Sequence, residues 1–316
     1  MSFMKSLTIT ATLLSTITFI AQAEINVVAS VKPVHSLVSA VMEGIGVPDL
    51  IVKGAASPHT YALKPSQAEQ IEKADLVFWM GHSLETFMEK PLEALATRAM
   101  VVELMDSEGL KKLKMREGGG FDDHDHDEHD EHSKESHDEH GHGEFDVHVW
   151  LDPENAKVMA NEIMEALKKV DPGNAKKYET NTKKIVEKLN QLVSEISAEL
   201  SSVKGKGFIV FHDAYQYFEE RFGLKAVGSI TVSPEVVPGV KRIKELKTKI
   251  KELNALCVFS EPQFKPKLVS TVVEGTKAKT GVLDPLGASI QNGPKLYFFL
   301  IRDMANSLNK CLSDKV

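Results

Sequence analysis

Short runs of β-branched and aromatic residues alternate with helical stretches along almost the whole chain, and this alternation limits the possible folds most. Four strand–helix pairs are predicted before residue 174 and four more after residue 203. Strands that alternate with helices indicate parallel sheets covered by helices. The predicted strands are 25–30, 49–52, 75–80, 101–104, 208–211, 225–230, 255–260 and 281–283. We therefore expect an α/β fold with two similar lobes.

The two halves are separated by a stretch with the periodicity of one long amphipathic helix. Apolar residues recur there at three-to-four spacing, which places them on one helix face. They are Ile185, Leu189, Leu192, Ile196 and Leu200. We predict an N-terminal lobe at 24–173, a linking helix at 174–203 and a C-terminal lobe at 204–316.

The first 23 residues have the composition of a secretory signal peptide. A short segment with one lysine precedes an apolar run at 7–20, and Ala21-Gln22-Ala23 offers the small residues of a cleavage site. The apolar run is shorter than a membrane span, although an uncleaved anchor is the alternative. We expect residues 1–23 to be removed and the mature protein to lie outside the cytoplasm.

A tract rich in histidine and acids at 118–146 interrupts the first half. It holds seven of the twelve histidines, twelve acids and one lysine. Its formal charge is therefore −11, whereas the whole chain carries −7, which leaves +4 elsewhere and gives no indication of nucleic-acid binding. Almost nothing apolar in the tract can be buried, so we expect it to be mobile.

Histidine-rich tracts of this kind typically bind metal ions, and imidazole suits zinc, copper and nickel. We expect weak auxiliary binding there, with the tract acting as a low-affinity metal collector or sensor, and solvated charge as the alternative. The histidines concerned are His124, His126, His129, His132, His137, His140 and His142.

Three other histidines and one aspartate follow apolar segments. His59 lies in the loop after the second predicted strand, His212 directly follows 208–211, and Asp284 follows another short strand. His148 lies in an apolar run just after the tract. Open α/β sheets bind ligands at the carboxyl ends of their strands, so we expect these side chains to meet in the cleft between the lobes. Three imidazoles and one oxygen form a tetrahedral set suited to Zn²⁺.

Each histidine taken alone is more often a surface or satisfied core residue. We predict a helix-face or capping role for His35, and a place in the cleft wall for His82, with a ligand role as the less favoured alternative. Glu261 ends a predicted strand, where it can cap the structure or accept a hydrogen bond from a ligand histidine. In an oxidising compartment Cys257 and Cys311 favour a disulfide, because they lack the CxxC spacing of a metal site.

Five segments, taken in order, resemble the metal-binding (cluster A-I) solute-binding proteins of ABC importers. The segments are 57–66, 148–153, 211–218, 259–264 and 283–287. The resemblance covers essentially the whole chain after the signal peptide. It implies two (β/α)₄ lobes bridged by a rigid helix, a metal ion between them, and delivery of that ion to a membrane permease from the periplasm.

Carried over onto this sequence, the resemblance implies that His59, His148 and His212 are zinc ligands. Manganese-binding members carry a carboxylate where this chain has His212, and the acidic histidine-rich tract is similar to that of the zinc-binding branch. Some relatives have a glutamate just before the first histidine, where this chain has Pro58. The fourth ligand is therefore expected to be Asp284 or water.

The resemblance also implies that Cys257 and Cys311 pair, as in Gram-negative members. We accordingly predict a monomeric periplasmic zinc receptor with an ABC permease as its partner, and not an enzyme. The alternatives are a zinc hydrolase, for which no nucleophile or general base stands beside the ligands, a manganese or iron receptor, and a zinc buffer or adhesin without a transporter.

Overall fold

The computed structural model describes residues 25–116, 121, 144–231, 234, 238–252 and 255–313. The predicted signal peptide and the seven histidines of the tract therefore lie outside the described residues. Within those ranges, no helix combines the length and the apolar character that crossing a membrane requires.

The N-terminal lobe is built on a parallel four-stranded sheet with the strand order β2-β1-β3-β4. The central strand β3 is buried throughout, as its sequence Leu-Val-Phe-Trp requires for a strand covered on both faces. The strands are β1 Val27–Ala29, β2 Asp49–Leu50, β3 Leu76–Trp79 and β4 Met100–Glu103. The helices are α1 Lys32–Val41, α2 Pro65–Lys73, α3 Thr86–Leu95 and α4 Pro153–Val170.

The start of α4 shows how the local sequence sets a helix boundary. Pro153 occupies the first helical turn, where its missing N–H costs no hydrogen bond. The Asp152 side chain accepts a hydrogen bond from the backbone N–H of Glu154 at 2.9 Å, which caps the helix. His148 lies just before the short turn, Val149–Leu151, that leads into this helix start.

The C-terminal lobe repeats the arrangement with a parallel sheet in the order β6-β5-β7-β8. Its strands are β5 Phe208–His212, β6 Ala226–Thr231, β7 Cys257–Ser260 and β8 Lys279–Val282. Its helices are α6 Gln216–Phe222, α7 Val240–Glu252, α8 Lys267–Val273 and α9 Leu296–Leu312. The predicted α/β architecture with two parallel sheets is confirmed.

The long helix α5, Ala175–Glu199, lies inside the predicted linking segment and continues as a 3₁₀ turn at Leu200–Val203. Its predicted apolar face is buried against α4, α1 and α9. Because α9 belongs to the C-terminal lobe and also packs on α1, one continuous apolar core crosses both lobes. Each large apolar side chain buried in it contributes about 1.5–3 kcal/mol, so the lobes are held together by more than the connecting helix.

Cys257 of β7 and Cys311 of α9 form a disulfide across 54 residues of sequence. The bond ties the last turn of α9 to a central strand of the second sheet. The predicted pairing is confirmed.

Candidate metal centre

The structure brings His59, His148 and His212 together between the lobes. His212 is the last residue of β5, His59 lies in the 3₁₀ turn Pro58–Thr60, and His148 directly precedes the turn before α4. One ring nitrogen from each histidine lies within 4.8 Å of the others. In the ranges that the structure describes, this is the one group of three or more candidate ligands brought so close.

His148 and His212 are held in the same way, each by a buried carboxylate. The Nδ1–H of His148 donates to Oδ1 of Asp146 at 2.7 Å, and the backbone N–H of His148 donates to the same oxygen at 2.9 Å. The Nδ1–H of His212 donates to Oε1 of Glu261 at 2.7 Å, and its backbone N–H lies 3.3 Å from that oxygen. Each carboxylate therefore fixes both the orientation of its ring and the nitrogen that carries the proton.

With the protons on Nδ1, the unprotonated Nε2 atoms of His148 and His212 face each other. They are 3.4 Å apart, inside a region where both side chains are almost fully buried. Two nitrogen lone pairs at this distance repel each other unless a positive charge lies between them. A proton or a metal cation placed between the two nitrogens would remove this repulsion.

His59 is held differently. Its ring centroid lies 5.5 Å from that of His148 and 5.7 Å from that of His212. Among the described residues, none forms a hydrogen bond with the His59 ring. The site is lined by a largely apolar set that limits access of water and strengthens electrostatic interactions. The set includes Pro58, Trp150, Phe264, Pro285 and Leu286.

Burial is the largest single influence on the pKa values of the three histidines. It lowers the pKa of His59 to about 2, with further lowering by the other two histidines, and it lowers the pKa of His148 well below 6.5. Burial also lowers the pKa of His212, but the charge and hydrogen bond of Glu261 outweigh this effect and leave that pKa raised. Burial raises the pKa of Asp146 to about 7. Of the three histidines, His212 is therefore the one whose protonated form is favoured.

Asp284, which the sequence offered beside water as the fourth ligand, lies outside this group of three histidines. Its Oδ1 accepts hydrogen bonds from the backbone N–H groups of Leu286 and Gly287, at 3.1 and 3.0 Å, and from Nε2 of Gln263 at 2.9 Å. Its Oδ2 accepts from the backbone N–H of Ala288. Both oxygens are thus used to shape the turn after β8.

Three other residues considered from the sequence, Glu261, His35 and His82, have different places in the structure. The Glu261 carboxylate accepts from a cluster histidine, as preferred from the sequence. His35 lies on α1 with Nε2 3.0 Å from the carbonyl oxygen of Pro48, and His82 lies beside Glu103 at 3.8 Å, outside the cluster. Asp146 was not singled out from the sequence, because it lies at the end of the acidic tract and resembles its other acids. Its place two residues before His148 was the available signal.

Comparison with known proteins identifies the family. Residues 27–311 match the family model described as zinc-uptake complex component A, periplasmic. The chain is 58% identical over 305 residues to the high-affinity zinc uptake system protein ZnuA of Brucella suis, covering 91% of each chain. It is 36% identical to the ZnuA protein of Yersinia pestis, covering 90% of this chain and 91% of that one.

Solved structures agree with this assignment. A crystal structure of ZnuA superposes with a TM-score of 0.76 at 25% identity, covering 92% of this chain and 100% of the other. The laminin-binding protein Lmb of Streptococcus agalactiae, described as having adhesin and metal-transporting activity, superposes with a TM-score of 0.74 at 26% identity and the same coverage. The chain therefore belongs to the family of periplasmic zinc-uptake complex component A proteins.

Proposed function

We propose that His59, His148 and His212 bind Zn²⁺ between the lobes, and that the protein delivers this ion to the membrane permease of an ABC importer. The observation that carries the proposal is the pair of Nε2 atoms facing each other at 3.4 Å. Zinc–nitrogen bonds of about 2.0–2.1 Å in a tetrahedral site place two ligand nitrogens about 3.3 Å apart. The two anchored histidines therefore already have the separation that zinc requires.

Water is the proposed fourth ligand, because the oxygens of Asp284 are occupied by the turn that they form. Three protein ligands and water also occur in zinc hydrolases, but membership of a solute-binding transport family argues against that alternative. The arrangement of the carboxylates argues in the same direction. Asp146 and Glu261 bind the Nδ1 side of their histidines, so neither is placed as a general base on the metal side.

The three proposed ligands differ in how firmly hydrogen bonds hold their side chains. Two are fixed by carboxylates, and the lobes that carry them are joined directly through Trp150, whose Nε1–H donates to the carbonyl oxygen of Pro285 at 2.9 Å. The hydroxyl of Tyr297 donates to the carbonyl oxygen of Trp150 at 2.6 Å. We infer that capture and release use movement of the His59 turn, and not wide separation of the lobes.

The high-affinity site is tested by calorimetric titration with zinc at neutral pH. We expect one tight site in the mature protein, its loss in His212→Ala and His148→Ala, and its persistence in His82→Ala, which removes a histidine outside the cluster. It should also persist when residues 122–142 are deleted, with only weaker sites lost. Loss of the tight site with the tract would refute the proposal.

Delivery to a permease is tested separately from binding. Deleting the gene is expected to impair growth only when zinc is scarce, with rescue by added zinc. A zinc buffer or adhesin without a transporter would leave zinc-limited growth unchanged.

We further propose that the protein is a monomer, that it lies in the periplasm after removal of residues 1–23, and that the tract provides auxiliary zinc binding.

A further inference from the structure

The two ends of the chain segment that contains the tract are joined to each other. Lys114 and Phe145 form an antiparallel bridge, and the backbone N–H of Met115 donates to the carbonyl oxygen of Glu144 at 3.0 Å. The backbone N–H of Asp146 donates to the carbonyl oxygen of Leu113 at 2.8 Å. The outgoing half of this short ribbon thus leads directly into Asp146, the carboxylate that orients His148.

The same ribbon is fastened to α6 of the other lobe. The Tyr217 hydroxyl accepts from the backbone N–H of Leu113 at 2.9 Å and donates to the carbonyl oxygen of Asp146 at 2.7 Å. Nε2 of Gln216 donates to the carbonyl oxygen of Lys114 at 2.9 Å. The ribbon therefore bridges the cleft beside the metal centre.

Arg116 forms the strongest of these bridges. Its Nε donates to both oxygens of Asp213, at 3.1 and 2.9 Å, and its Nη2 also binds Asp213. Its Nη1 and Nη2 each donate to one oxygen of Glu219 at 3.0 Å. Asp213 directly follows His212, and the ring of Phe121 stacks on the guanidinium at 3.8 Å. The side chains of Asp213 and Glu219 are only 12% and 5% exposed, so this is not a solvated surface pair.

We propose that Arg116 is a positioning residue of the metal centre. Its hydrogen bonds to Asp213 and Glu219 hold the end of β5, which carries His212, against the ribbon. The ribbon in turn leads into Asp146 and His148. Arg116 thereby helps to set the separation of the two Nε2 atoms.

Geometry and charge act in opposite directions at this position. Removing the cation leaves Asp213 and Glu219 unneutralised near the site, which by Coulomb's law favours a dication. Removing the guanidinium N–H donors releases the end of β5, which weakens zinc binding. Lysine keeps the charge but cannot make the bidentate contacts of arginine, so Arg116→Lys isolates the geometric effect.

The test compares Arg116→Lys and Arg116→Gln with the wild-type protein, using zinc alone as the probe. Arg302→Gln is the control, since Arg302 also binds a glutamate, Glu195, in a bidentate pair, and neither residue lines the metal centre. Affinity is measured by competition with a chromophoric chelator. The visible absorption of the Co²⁺ form reports ligand geometry, which a loss of stability alone would not change.

We expect about tenfold weaker zinc binding and an altered Co²⁺ spectrum in both Arg116 variants, the size usual for groups that orient metal ligands. Arg302→Gln should show neither change. Wild-type affinity in Arg116→Lys, or tighter binding in Arg116→Gln, would overturn the inference. If Arg116→Gln fails to fold, Arg116→Lys decides alone.

The inference rests on the proposed zinc site, but the two fail differently. If the site is wrong, His212→Ala retains tight zinc binding. If only the role of Arg116 is wrong, His212→Ala loses zinc while Arg116→Lys keeps it.

Discussion

Replacing Glu261 by glutamine removes one charge beside the metal centre and little else. The side chains of Glu261 and His212 are 1% and 5% exposed, and their hydrogen bond is 2.7 Å long. Glutamine has nearly the same size, and its carbonyl oxygen can still accept from Nδ1–H. The substitution therefore converts a charge-assisted hydrogen bond into a neutral one and leaves the packing unchanged.

The expected loss follows from these contacts. Hydrogen bonds to charged groups contribute about 1.5–3 kcal/mol, and neutral ones contribute about 0.5–1.5 kcal/mol. The difference of about 1.4 kcal/mol corresponds to a tenfold change in affinity. We expect Glu261→Gln to weaken zinc binding by about tenfold, because the imidazole becomes a poorer donor and its ring is less firmly oriented.

Competition with a chelator at neutral pH measures the change in zinc affinity. The control is Glu195, the exposed glutamate that pairs with Arg302. Glu195→Gln removes an equal charge at the surface and should leave zinc affinity unchanged. A Glu261→Gln protein that binds zinc within twofold of the wild type, or more tightly, would refute the argument that the carboxylate prepares His212 for the metal.

Three further predictions concern protons and cross-links. Glu261 holds the pKa of His212 above its ordinary value despite burial, so zinc affinity should rise with pH through that pKa and then level off. Below that pKa, zinc binding should release about one proton, and above it none, as calorimetry in buffers of different ionisation enthalpy would show. Burial raises the pKa of Glu85 from 4.5 to about 7, so its protonated form favours folding and this contribution is lost as the pH rises through 7. Glu85→Gln should therefore raise the free energy of unfolding at pH 8, by up to about 3 kcal/mol, but not at pH 4, as urea titrations at both values would show. Replacing Cys257 and Cys311 by serine should lower that free energy by about 4 kcal/mol, since the bond closes a 54-residue loop; an unchanged urea midpoint would contradict this.

The fold followed from local patterns, whereas part of the site did not. Strand β3 spans Leu76–Trp79, inside the predicted strand 75–80, because a short run of β-branched and aromatic residues suits a buried strand. His212 was placed correctly at the end of β5, because a strand of apolar residues stops at the first polar one. Such patterns identify where a side chain is attached to the backbone.

They do not identify where a side chain points. Asp284 has the right position after a strand, but the tight turn after it offers backbone N–H groups that bind both carboxylate oxygens. Asp146 lies among eleven other acids in the tract, and only the fold distinguishes the one that enters the buried cleft. These outcomes depend on which donors the tertiary structure brings near.

The bridge between Lys114 and Phe145 has a consequence for how this protein can change during evolution. Because the chain is closed at that bridge, the number of residues between its two ends adds little to the cost of folding; doubling a loop costs only about 0.6 kcal/mol. Insertions, deletions and new histidines can therefore accumulate between 122 and 143 without disturbing the core. The auxiliary metal binding that we propose for this segment can thus change with the supply of zinc in a habitat, while the receptor that it is attached to stays the same.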